Sequence, residues 1–306
     1  MSLLQAIIIG IVQGLTEFIP VSSTAHLVFA SKALNLFGGA GGQLQAEQTT
    51  ATIAVVQLGT LVAVLIYFAP DILTITVAFI RDHLALLGGG GGTRPRETRA
   101  ASGAVVGRRS RLSDDARLGW LVIVGSIPVG VVGLVFKHQI EGTFTKNLWV
   151  IATMMIVVAL LLAVAEKVST HRRGMSELGL RDALAVGCAQ VLALIPGASR
   201  SGSTIMGGLF AGEKRETAAR FSFLLSIPAV AASGLLELKE AVHKLPPGSA
   251  VPLAVATVTA GLVGYASIWF LLRYLRTHST AAFIAYRLVA GALILALLWL
   301  GYVRPV

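Results

Sequence analysis

The chain has 306 residues, of which 55% are hydrophobic and only 13% charged, with a mean hydropathy of +0.78. That balance excludes a soluble globular domain and describes a polytopic membrane protein. The net charge of +10 lies in loops between apolar stretches, where it fits membrane topology rather than nucleic-acid binding, and the single cysteine, Cys188, excludes a disulfide framework or a thiolate metal site.

Positions 3–36 are apolar but broken by a polar run, Gln13-Gly-Leu-Thr-Glu17-Phe-Ile-Pro20-Val-Ser22-Ser23-Thr-Ala-His26. No basic region precedes this stretch, so it reads as a membrane segment rather than a signal peptide. Gln13 and Glu17 are spaced i, i+4 and project from one helical face. Pro20 ends that helix and hydroxyl residues fill the turn. A carboxylate, an imidazole and several hydroxyls at membrane depth are expensive unless they are used. The oxygen pair suits a hard cation that takes its other ligands from water and phosphate. His26 suits a general base or acid, or the activation of a neighbouring serine.

Next come Thr50–Ala69, a first stretch long enough to cross ~30 Å of hydrocarbon, and a basic loop, 81–117, with eight arginines. Within it, 87–116 is rich in glycine and arginine and reads as flexible. The spans Leu118–Phe136 and Leu148–Ala165 follow, joined by 137–147. The loop 166–182 is again basic, through Lys167, Arg172, Arg173 and Arg181.

Positions 183–211 repeat the opening pattern: an apolar stretch broken by Pro196-Gly-Ala-Ser199-Arg200-Ser201-Gly202-Ser-Thr204. Its glycines let backbone N–H groups approach an anion. Its hydroxyls donate, and it opens a helix whose N-terminus favours negative charge. Arg200 adds a planar fork for two oxyanion contacts. The spans Phe221–Leu238, Val251–Leu272 and Ala281–Tyr302 close the chain, joined by 239–250 and by the basic turn 273–278.

Both broken stretches read as re-entrant helix–loop–helix hairpins, since non-helical backbone survives at membrane depth only inside protein or along a cavity. The fold expected is therefore an all-α integral membrane protein, a single membrane domain over 1–306 with six transmembrane helices and two re-entrant hairpins. Residues 1–170 and 180–306 each hold one hairpin and three spans, and an odd number of crossings inverts the second half. That inverted-topology repeat brings the two hairpin tips together at the midplane. Positive charge places 81–117, 166–182 and 273–278 in the cytoplasm and 137–147 and 239–250 outside. Arg220, Tyr286 and Arg287 also lie inside apolar spans, where they either line the site or pair helices.

The first run resembles the (Glu/Gln)-x-x-x-Glu motif followed by P-V-S-S-T-x-H of the undecaprenyl pyrophosphate phosphatase, or bacitracin-resistance, family. The second is similar to that family's P-G-x-S-R-S-G-x-T motif, matching every fixed position. The resemblance covers nearly the whole chain. It implies hydrolysis of C55 isoprenyl pyrophosphate to the monophosphate and inorganic phosphate, which recycles the cell-wall lipid carrier for peptidoglycan synthesis. It implies a multi-pass protein of the bacterial cytoplasmic (inner) membrane and a divalent cation, Mg²⁺ with Ca²⁺ as the alternative. The partners implied are the polyprenyl pyrophosphate and the bilayer, with no nucleic acid and with a homodimer left open. Glu17, Ser23, His26 and Arg200 become the catalytic residues. Ser22, Ser199, Arg200, Ser201, Gly202 and Thr204 bind phosphate, and Gln13 and Glu17 hold the metal. Gln13 stands where the family often has glutamate, which removes one charge from the metal site, and 87–116 is longer and richer in arginine than the family pattern. The rival reading is a lipid-phosphate or anion transporter of the same architecture, which needs phosphate capture but no base or nucleophile.

Overall fold

The computed structural model describes residues 1–38, 42–87, 112–136, 147–245 and 248–303. Most of the stretch expected to be flexible, 87–116, lies outside these residues, as do nearly all of 137–147 and part of 239–250. Eleven α-helices are described: α1 (Leu3–Phe18), α2 (Ser23–Ala33), α3 (Gly42–Tyr67), α4 (Ala69–Leu87), α5 (Asp114–Val135), α6 (Leu148–Val168), α7 (Leu180–Val191), α8 (Arg200–Phe210), α9 (Arg215–Lys244), α10 (Ala250–Leu275) and α11 (Ala281–Trp299). Among the described residues the sole β pairing is an isolated bridge between Arg173 and Glu213. The all-α membrane class is therefore observed.

Among the described residues, five helices are long and apolar enough to cross a membrane: Glu47–Tyr67 within α3, then α5, α6, α10 and α11. They contain or closely match five of the six expected spans. The sixth, Phe221–Leu238, lies inside the 30-residue α9, which carries Pro228 in its interior. Helix α4 departs from expectation, since residues up to Leu87 are helical where a loop was expected from position 81. It packs against the start of α5. Asp82 accepts from the Ser113 N–H at 2.8 Å, and the Trp120 indole donates to His83 at 3.0 Å.

Both broken stretches fold back on themselves. Helix α1 is capped by Ser2, whose hydroxyl accepts from the Gln5 N–H, and it ends at Ile19 before Pro20. The Gln5 amide donates to Leu34 O at 2.9 Å, tying the start of α1 to the end of α2. In the second hairpin, Arg173 pairs with Asp182 at the start of α7 and donates to Ala211 O at the end of α8. At 1.5 Å per residue, the 16, 11, 12 and 11 residues of the four arms are too short to cross ~30 Å alone.

Each hairpin is seated by glycine contacts against a helix from the other half of the chain. Gly10 and Gly14 of α1 face Ala256 and Gly264 of α10, and Gly187 of α7 faces Gly125 of α5 so closely that a β-carbon would sit 2.2 Å from Gly125 O. The start of α1 lies toward the start of α10. The start of α7 lies toward that of α5, where Arg117 donates to Ser176 O at 2.6 Å. At that same end Arg215 binds Glu166 at 2.5 Å, Thr280 donates to Glu166 at 2.8 Å and Arg276 binds Glu216 at 2.8 Å. These contacts gather the end of α6 and the starts of α9 and α11 with the end of α10. The basic segments 166–182 and 273–278 thus share one end of the molecule with the mouth of the second hairpin, and the first hairpin opens at the other end.

Candidate active site

The two hairpin tips meet in the interior. Arg200, the first residue of α8, places Nη2 2.6 Å from Glu17 Oε1 on α1, across 183 residues of sequence. Ser201 Oγ lies 3.4 Å from Ile19 O of the first tip. Phe18 packs edge-on against Phe223 of α9, with ring centroids 5.4 Å apart, and closes the junction on one side.

Backbone conformation turns both tips sharply. Ser22 and Ser199 both take positive φ, 79° and 68°, immediately before α2 and α8. Side chains other than glycine rarely adopt that conformation, and it concentrates at functional turns. Gly197 has φ +91°, and a β-carbon there would meet Ile151 O at 2.1 Å, so only glycine lets the second tip press against α6.

On the first tip, Gln13 donates Nε2–H to Glu17 Oε2 at 3.2 Å, as the i, i+4 spacing predicts. Gln13 Oε1 is buried with no hydrogen-bond partner. The Glu17 carboxylate and this orphaned oxygen are donors of the kind a hard divalent cation takes. No group of three or more His, Cys, Asp or Glu lies close enough to form a complete cage among the described residues. A cation here would therefore draw its other ligands from water and phosphate oxygens. Ser22 Oγ is also buried and without a partner.

On the second tip, Ser199 caps α8 by accepting from the Gly202 N–H at 3.2 Å, and it hydrogen-bonds Ser201 at 3.2 Å. A β-carbon at Gly202 would come within 3.2 Å of Arg287 Nη1 and 3.3 Å of Ser199 Oγ, so the α8 N-terminus sits close against both side chains. Thr204 is differently engaged from the expected phosphate contact. Its hydroxyl donates to Arg200 O at 2.7 Å and lies 2.5 Å from the Ser222 hydroxyl, so it props the α8 N-terminus from behind.

His26 lies one turn into α2. Its Nδ1 is 2.7 Å from Ser22 O and its Nε2 is 2.5 Å from the Tyr286 hydroxyl of α11. The expected partner, Ser23, opens α2 as a half-buried residue but takes neither ring nitrogen. Beside Tyr286, Arg287 is fully buried. It donates to Pro20 O at 3.4 Å, to Gly197 O and Ala198 O at 3.0 Å each, and to Met155 O at 3.1 Å. One guanidinium thus holds the backbone of both tips against α6. Arg220 is separate from this cluster: it binds Asp71 at 2.6 Å and stacks over Phe68, pairing α9 with α4.

Glu17, Arg200, Ser199 and Ser201 are therefore brought to one junction, as the two motifs suggested. Arg287 and Tyr286 were visible in sequence as polar side chains inside an apolar span, which either line the site or pair helices. Ser222 carried no sequence signal.

A family profile described as bacitracin resistance protein BacA matches residues 6–293. The chain belongs to that family. It is 48% identical to a protein named undecaprenyl-diphosphatase from Syntrophobacter fumaroxidans, over 99% of this chain and 98% of that one. It is 47% identical to a protein of the same name from Mycolicibacterium smegmatis, over 98% of each, and 45% identical to one from Chlorobaculum tepidum over the full length of both.

Proposed function

We propose that the chain hydrolyses undecaprenyl pyrophosphate to undecaprenyl phosphate and inorganic phosphate in the bacterial cytoplasmic membrane, and so recycles the cell-wall lipid carrier. The observation that carries the reading is the Arg200–Glu17 contact at 2.6 Å. It joins the two polar runs into one buried site that holds a carboxylate, a guanidinium and hydroxyls beside a histidine-bearing helix.

The residues divide the work. Arg200 presents its fork, and the N-terminus of α8 its dipole, to the pyrophosphate oxygens. Ser199 and Ser201 donate hydrogen bonds there, and Arg287 fixes both tips so that these donors need not reorganise as charge shifts. His26 takes the proton of the attacking oxygen, from Ser22, Ser23 or water, while the bond from the terminal phosphorus to the bridging oxygen breaks and undecaprenyl phosphate leaves with the electron pair. Where a serine attacks, water then hydrolyses the phosphoserine, releasing inorganic phosphate and restoring the hydroxyl. Gln13 and Glu17 are the residues that would hold Mg²⁺, and the ion when bound neutralises pyrophosphate oxygens and offsets the competition between phosphate and Glu17 for Arg200.

The exchange of hairpins between the two halves and their opposite openings support the inverted repeat of 1–170 and 180–306. The clustering of basic segments at one end supports placing that end in the cytoplasm. The test is phosphate release by purified protein in detergent micelles given a C55 isoprenyl pyrophosphate. Repeated turnover is expected. Absence of release, with lipid movement in sealed vesicles, would favour the transporter instead.

A further inference from the structure

The His26 contacts determine which nitrogen is basic. Ser22 O is a carbonyl and can only accept, so Nδ1 carries the ring proton. The lone pair is then on Nε2, and the Tyr286 hydroxyl donates to it at 2.5 Å. The two rings are nearly parallel, 14° apart with centroids at 5.6 Å, so the phenol is held by packing as well as by its hydrogen bond. Tyr286 precedes Arg287, whose guanidinium binds the backbone of both tips. Its position relative to His26 is therefore anchored to the tips themselves.

We propose that Tyr286 is a positioning residue for the hydrolysis: it holds the His26 imidazole in the Nδ1–H tautomer, with the Nε2 lone pair directed to the place where the nucleophile's O–H must arrive. The inference rests on the phosphatase reading for its catalytic part and on geometry alone for the contact. A neutral imidazole has a single lone pair, so the nucleophile and the phenol compete for it. Tyr286 holds the nucleophile's place until the arriving hydroxyl displaces it. The imidazole then needs no rotamer search or tautomer exchange, which is the benefit of a preset base.

Tyr286→Phe keeps the stacked ring and removes only the O–H. Tyr286 is 46% exposed, so a small acylating reagent can reach this region. Two measurements are read together: the rate at which diethyl pyrocarbonate modifies His26, mapped by peptide mass with the exposed His278 as internal standard, and the kinetics of phosphate release. With Nε2 uncapped, modification of His26 should rise about tenfold relative to His278, the worth of one hydrogen bond. The kcat should fall by about the same factor, because losing the contact that aims Nε2 outweighs the release of a competing donor. KM should stay within about twofold, because ground-state binding is untouched. An unchanged His26 modification rate would overturn the proposal whatever happened to kcat, since Tyr286 would then not act through Nε2. Faster modification with unchanged or raised kcat would equally overturn it, since the phenol would then only compete with the nucleophile for Nε2. If the wild-type protein released no phosphate, the phosphatase reading would fail, while the modification ratio would still decide the contact.

Discussion

At the scale of single residues, the site depends on how few groups carry charge. Glu17 and Arg200 neutralise each other at 2.6 Å, and Gln13 leaves an oxygen without a partner beside them. A guanidinium can bind a phosphoryl group through two nitrogens, whereas an ammonium offers a point charge. Arg200→Lys should therefore lower kcat by about 10²–10³, the cost of one well-placed stabilising donor, with a much smaller change in KM. Steady-state phosphate release measures both. Near-normal kcat with a raised KM would make Arg200 a docking residue only. Polar residues in apolar runs made Glu17, His26 and Arg200 legible in the sequence, because their burial has a cost that packing alone does not repay. What was not legible is which neighbour each one meets. Thr204 belongs to the motif, yet its hydroxyl turns to Arg200 O and Ser222. His26 is held by a tyrosine 260 residues away, and no local spacing encodes that contact.

At the scale of elements, the hairpins were legible because proline and hydroxyl residues interrupt stretches that would otherwise span. Helix α4 was not, because Asp71, Arg81 and Asp82 make it too polar for a span. Its order comes instead from tertiary contacts: Ile75 and Phe79 pack on Gly119 of α5, while Leu73, Val77, Ile80 and Leu84 face outward. The hairpin seats are among the most size-sensitive places in the fold. Gly187→Ala puts a methyl 2.2 Å from Gly125 O, where the neighbour is backbone and cannot swing away. Overpacking of this kind costs about 1–3 kcal/mol. A thermal melt in detergent should show a lower Tm, and activity should fall with it, because the second tip moves with α7. An unchanged Tm would mean that α5 and α7 are not in contact.

At the scale of the whole molecule, the end that gathers α6, α9, α10 and α11 also holds a pH-sensitive acid. Glu213, in the turn between α8 and α9, is fully buried with both carboxylate oxygens unpartnered. Burial, and then the nearby Asp182 carboxylate, push its pKa up from about 4.5 to about 8, against the opposing pull of Arg173. Raised folded pKa means that the folded protein holds this proton more tightly than the unfolded chain. The stabilisation is therefore complete below about pH 4.5 and is lost as pH rises toward 8. Tm should fall across that window in the wild type and fall less in Glu213→Gln, which keeps a neutral side chain throughout. Parallel curves for the two proteins would contradict the assignment of a neutral Glu213.

If two hairpin tips from opposite halves of the chain make one catalytic site, a double-mutant cycle on Glu17 and Arg200 will show it. The kcat/KM for phosphate release would be compared among the wild type, Glu17→Gln, Arg200→Lys and the double variant. Each single change should cost at least about 100-fold. The double variant should lose little more than the worse single one, because both residues act on the same phosphoryl group in the same step. Losses that simply multiply would mean that the two tips act independently, and the shared site would be wrong.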